Sequence, residues 1–167
     1  MAHQALGGEG FSYTRMSWIK PNFLWMMYRA GWATKPNQEA ILALRVSRTF
    51  FDALLSQALA SSFDPTRYRS HEAWQTAVAK SNVRLQWDPD HDPHGAPLQR
   101  RGIQLGLRGG ALAQFGKQEL IEVIDLTSMV AEQRDRLTAN VTSLQVPAER
   151  VYRPVDEMAA ANIGLAM

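Results

Sequence analysis

Apolar and polar residues alternate with period two in some stretches of this chain and recur at helical spacing in others, so strands and helices are mixed along it. In 82–87, Val83, Leu85 and Trp87 alternate with Arg84 and Gln86. In 101–108, Ile103, Leu105 and Leu107 alternate with Gln104, Gly106 and Arg108. Each pattern predicts a half-buried strand with one polar face. A weaker alternation predicts an extended 14–19, which the pair Lys20-Pro21 interrupts because a proline disfavours helix at the residue before it. Pro21 itself suits the first position of a helix over 21–30. That segment is apolar almost throughout until Tyr28 and Arg29, which predicts burial on most of its circumference, and Gly31 is placed to cap its C-terminus.

Further on, the run of Ile, Leu, Ala and Val in 39–46 predicts a buried strand. Ser47 then caps a helix over 48–60 whose stripe is Phe50, Phe51, Leu54, Leu55 and Ala58. Ser70 caps a helix through Lys80 with Trp74, Ala77 and Val78 inward and Glu72 at its positive end. The stretch 88–97 holds three prolines and reads as a loop. Gly109-Gly110 opens a short helix to about Phe115, 120–126 is a further apolar strand, and Thr127 caps a helix running to about Asn140. The order lacks the regular alternation of a doubly wound sheet. It predicts a single α+β domain with a mixed or mainly antiparallel sheet flanked by helices over 15–145. Around it lie a glycine-rich, flexible 1–14 and a tail, 146–167, that packs on the domain.

A chain of 167 residues with 46% hydrophobic content can bury a core unaided. The absence of cysteine excludes disulfides, thiolate metal sites and a cysteine nucleophile, and fits a cytoplasmic setting. No run of about 18 apolar residues is present, so no spanning helix and no membrane partner are expected. Net charge is only +2, yet residues 1–50 carry Arg15, Lys20, Arg29, Lys35, Arg45 and Arg48 against Glu9 and Glu39. Three of the five tryptophans, Trp18, Trp25 and Trp32, lie in that basic region. Aromatic faces beside fixed cations suit a planar anionic ligand, a nucleotide above all. The competing account places Phe23, Trp25, Met26 and Met27 in the core and leaves Arg15, Trp18, Lys20, Tyr28, Arg29 and Lys35 as the ligand-binding candidates.

A second constellation lies on the predicted strands, where Arg84 and Gln86 would stand beside Arg101 and Gln104 if the two strands pair across 88–97. Paired arginines recognise carboxylate or phosphate. Gln86, Asp88 and His91 are the catalytic candidates, the last two as general acid or base at a strand end. Asp88, Asp90, His91, Asp92 and His94 carry metal-type donors, but Pro89 and Pro93 oppose the wrapping that a single-loop site needs, and no metal is expected. There is no nucleophile-elbow, Walker or dinucleotide-fold motif.

The stretch MSWIKPNFLWMMYRAGWATK of residues 16–35 resembles a signature block of the domain-of-unknown-function family numbered 4291. VRLQWDP at 83–89, RGIQLGLRG at 101–109 and DLT at 125–127 are similar to its later blocks, in the same order. The resemblance covers most of 11–130. It implies a further extended Tyr- and Arg-containing segment upstream in other members, so that this chain would start inside the following helix as a shortened member. The family's arrangement is also similar to that of ADP-ribosyltransferase-like domains, at the level of layout alone. These readings together predict an enzyme acting on a nucleotide-like or phosphorylated planar substrate, with NAD or another nucleotide as cofactor and an ADP-ribosyltransferase-like transfer as one form of the reaction. Two alternatives stand beside it: a non-catalytic RNA or single-strand binder that stacks bases on the tryptophans, and a small-molecule tailoring enzyme with an aromatic cleft.

Overall fold

The computed structural model describes residues 5–139 and 141–165, and it is an α+β domain. Four strands form one sheet in the order β1 (Ser17–Ile19), β5 (Pro97–Leu107), β4 (Val83–His91), β3 (Leu59–Ala60). β1–β5 and β4–β5 are antiparallel and β3–β4 is parallel. Two further strands, β2 (Leu42–Val46) and β6 (Leu120–Asp125), pair antiparallel as a separate ribbon. The helices are α1 (Phe23–Ala30), α2 (Arg48–Gln57), α3 (His71–Lys80), α4 (Gly109–Gln114), α5 (Thr127–Ala139) and α6 (Glu157–Asn162), with a π-helical turn over Phe115–Glu119.

The long β4–β5 hairpin divides the molecule. Val83 lies opposite Leu107, Leu85 opposite Leu105 and Trp87 opposite Ile103, so these residues share one face. That face packs on Phe50, Leu54 and Leu55 of α2, on Ala111 and Leu112 of α4, and on Ala159 of α6. Burying each large aliphatic side chain here stabilises the fold by roughly 1.5–3 kcal/mol. A second, smaller core joins Met27 and Ala30 of α1 to Trp32, Ile41 and Val130 of α5.

Several sequence expectations need correction. The hairpin is longer than predicted, because Asp88–His91 continue β4 and only the tip after His91 is a loop. Pro89 is tolerated there because β3 pairs with β4 only at Arg84 and Leu85, so Pro89 has an open side on which no N–H is needed. Helix α1 starts at Phe23, with Asn22 rather than Pro21 at its edge, and only Met27 and Ala30 are fully buried. Its other apolar residues, Phe23, Leu24, Trp25 and Met26, are only half-buried. The 39–46 strand is shorter and not buried: β2 starts at Leu42, which is 48% exposed, since the two-stranded ribbon has a free side. Helix α2 ends at Gln57, and Leu59–Ala60, expected to be helical, form β3. Thr127 does not cap α5; its hydroxyl accepts from the Ile41 N–H, while Asp125 accepts from the Thr127 N–H. Ser47 and Ser70 do cap their helices, accepting from Phe50 N–H and Ala73 N–H.

The tail contains a helix that its proline content hides. On the way to α6, Glu149 accepts from the Phe23 N–H at the start of α1 at 2.5 Å. Tyr152 Oη donates to Asp52 Oδ1 at 2.6 Å, and the Val155 and Asp156 N–H groups donate to Asp52 Oδ2. Burial pushes the Asp52 carboxyl up, but the Tyr152 hydroxyl, the two backbone donors and the nearby Arg48 outweigh it and hold the group below its ordinary range. Its stabilising contribution is therefore complete above the ordinary carboxylate pKa, about 4, and is lost as pH falls through the lower folded value. Asp52→Ala leaves three donors short of an acceptor and is expected to cost about 1–3 kcal/mol at pH 7. Urea melts at pH 7 and pH 3 check this, since the penalty should shrink at the lower pH.

Candidate functional site

Opposite the core, the four-stranded sheet presents a polar face built by the same alternation. Trp18 lies across from Gly106, which lies across from Arg84. Gln86 pairs with Gln104, and Asp88 with Gly102. These side chains share the face because their partners on the core side hold the register. The two glycines matter for what lies over them. A Cβ at Gly106 would come within 2.8 Å of Met16 Sδ and 3.0 Å of the Trp18 ring, and one at Gly102 within 2.5 Å of Asn22 Oδ1. The indole therefore reaches over bare backbone, and Asn22 seats the start of α1 on the sheet. Trp18 remains 39% exposed.

Asp88 organises the middle of this face. Its Oδ1 accepts from Gln86 Nε2 at 2.9 Å and its Oδ2 from Gln104 Nε2 at 2.7 Å. Lys20, the residue after β1, holds its ammonium 4.6 Å from the centre of the Trp25 ring. Burial lowers the Lys20 pKa and the neighbouring Arg29 lowers it further, while Asp88 opposes both. The floor thus joins one carboxylate, two amides, an exposed indole and a partly desolvated ammonium, with the Arg84 guanidinium at its β3 side, where it reaches Val78 O.

A second group adjoins the floor through Trp25. His91 stacks on Tyr28 with ring centres 3.8 Å apart and meets the Trp25 ring edge-on at 6.2 Å. The imidazole is 6% exposed, and its Nδ1 has no hydrogen-bond partner. Beside it Asp90, 1% exposed, receives Arg100 Nε at 2.8 Å and Nη2 at 2.5 Å on the same oxygen. Trp32 fixes α1 to this end of the hairpin by donating from Nε1 to Pro93 O at 3.1 Å.

Of the residues singled out from sequence, Trp18, Lys20, Arg84, Gln86, Asp88 and Gln104 come together, with Arg29 close to Lys20. Tyr28 and His91 form their own stacked pair. Arg101 does not join the floor: it lies opposite Pro89, on the side of Ile103 and Leu105, and its Nη2 donates to Trp87 O. Arg101 and Gln104 are three residues apart, an odd step, so an unbroken strand must send them to opposite faces. Lys35 donates to Tyr28 O and Arg29 O and so caps α1. Arg15 is exposed in the turn before β1. Trp25, assigned to the core from sequence, is half-buried and forms a wall between the two groups. The Asp90–Arg100 pair escaped sequence reasoning; its only signal is opposite charge across a hairpin whose register was unknown.

Among the described residues, no three His, Asp or Glu side chains converge on one point that would hold a metal. Asp92, for example, accepts instead from the N–H groups of His94 and Ala96 in the hairpin tip. No helix is long and apolar enough to cross a membrane, again among the described residues.

Replacing Gly106 by Val is expected to push the Trp18 ring off the floor at a cost of about 1–3 kcal/mol. Iodide quenching of tryptophan fluorescence should rise in Gly106→Val, and the rise should vanish when Trp18→Phe is added.

Compared with known proteins, residues 1–152 match a family model described as a domain of unknown function, DUF4291. Neither the curated proteins nor the solved structures contain a match to this chain.

Proposed function

The chain belongs to the DUF4291 family, and we propose that it is an enzyme acting on a nucleotide-like substrate held on the polar face of its four-stranded sheet. The observation that carries the reading is the Gln86–Asp88–Gln104 cluster lying beside Trp18 and Lys20 on the sheet's polar face. A carboxylate that holds two amides in place is a pre-oriented hydrogen-bonding surface. Such a surface recognises a planar polar ring edge at little ordering cost. Trp18 supplies a face for stacking, and Lys20, Arg29 and Arg84 supply positive charge for a phosphate.

The tryptophans give less support to a single-strand binder. Trp32 is buried, Trp87 packs against the main core, Trp25 is engaged by Lys20 and His91, and Trp74 donates to Ala60 O, which leaves Trp18 as a lone platform.

In a thermal melt, NAD, ATP or GTP at a hundredfold excess over Kd would stabilise the native state by about 2.7 kcal/mol. Asp88→Ala and Trp18→Ala should each remove the shift while leaving the unliganded transition cooperative. Absence of a shift with all three nucleotides would overturn the reading.

A further inference from the structure

The polar face carries an orientation that narrows its ligand, and the inference rests on the reading just proposed. An ionised Asp88 can only accept hydrogen bonds, so each glutamine must turn its NH2 toward it. That fixes both amides: Gln86 Nε2 points at Oδ1 and Gln104 Nε2 at Oδ2. Each Oε1 is consequently directed away from Asp88. Gln86 and Gln104 are register partners on neighbouring strands, so the two carbonyl oxygens belong to side chains whose Cβ atoms stand about 4.5–5.5 Å apart. The face thus offers two neighbouring acceptors, with Trp18 across β5 for stacking.

We propose that this face selects guanine among the nucleobases, by accepting from two adjacent ring-edge donors. Guanine alone of the common bases presents two neighbouring N–H donors, the ring N1–H and the 2-amino group. Adenine and cytosine each present one amino group beside an acceptor nitrogen, and uracil a single N–H between two carbonyls. A guanidinium would also present paired donors, but it would bring positive charge next to Lys20 and Arg84, and Lys20 already lies near Arg29. A neutral donor edge attached to an anionic phosphate meets both requirements. Asp88 acts here as a positioning residue, through the glutamines.

Titration calorimetry with GTP, ITP and ATP on the unmutated chain tests this. ITP differs from GTP only by the missing 2-amino group. GTP is expected to bind about tenfold more tightly than ITP, the consequence of one acceptor left unpaired. Gln86→Leu and Gln104→Leu keep the side-chain volume but remove an acceptor; at least one of them should bring the GTP to ITP ratio close to one. Equal affinities for GTP, ITP and ATP, or a preference for ATP, would overturn guanine selection while leaving the nucleotide site standing. No binding of any of the three would overturn both.

Discussion

The pairing of β4 with β5 is the constraint on which the rest of the structure depends. It runs from Val83–Leu107 at one end to His91–Pro97 at the other, with a single irregularity between Pro89 and His91. Because side chains alternate, this register alone decides that Leu85 and Leu105 meet α2 while Gln86 and Gln104 meet solvent. A slip of β4 by one residue against β5 would put Gln86 and Asp88 into the apolar core, each short of partners it now has. The large cost of burying such groups is what makes the register unambiguous. The core and the polar face are two consequences of one alignment, and stability on one side guarantees geometry on the other.

Helix α1 is held to the hairpin by contacts that are more demanding than its short length would need for stability alone. After Gly31 at φ 57°, both Trp32 (φ 53°) and Ala33 (φ 62°) remain in the left-handed region. For residues with a Cβ this costs on the order of 1–2 kcal/mol each. Three interactions offset it: Trp32 N–H to Met27 O, Trp32 Nε1 to Pro93 O and Arg134 to Trp32 O. The reversed turn brings Lys35 back over the last carbonyls of α1. At the other end, Glu149 and Asn22 fix the helix start. With both ends tied, Trp25 and Tyr28 are presented to Lys20 and His91 in fixed orientation.

What could be read from the sequence was what depends on local periodicity. The alternation at 83–87 and 101–107 located the two central strands and their polar residues, and Ser47, Ser70 and Gly31 marked helix ends through chemistry that acts within a turn. What could not be read depends on partners far along the chain. Arg101 and Gln104 share polar chemistry, and only their odd spacing shows that they take opposite faces. Trp25 reads as core because its neighbours in sequence are apolar, and nothing among them shows that Lys20 and His91 meet its ring. Asp88 reads as a loop residue because 88–97 holds three prolines, although a strand with an open side has no need of the missing donor. Helix α6 was hidden for a similar reason: its anchorage is Asp52, about a hundred residues earlier.

The charge arrangement around the face shows why Asp88 matters more than its size suggests. Lys20 lies close to Asp88, Arg29 of α1 acts on Lys20, and Arg84 stands further along β4 on the same face. Without Asp88 nothing would offset the repulsion between Lys20 and Arg29, and two glutamine amides would be free to turn. With Asp88 in place, the repulsion is partly offset and each amide has a single preferred orientation. The cations are neutralised only in part, since one carboxylate faces several positive groups. The face is therefore both ordered and still attractive to further negative charge, a combination that neither the carboxylate nor the basic residues would provide alone.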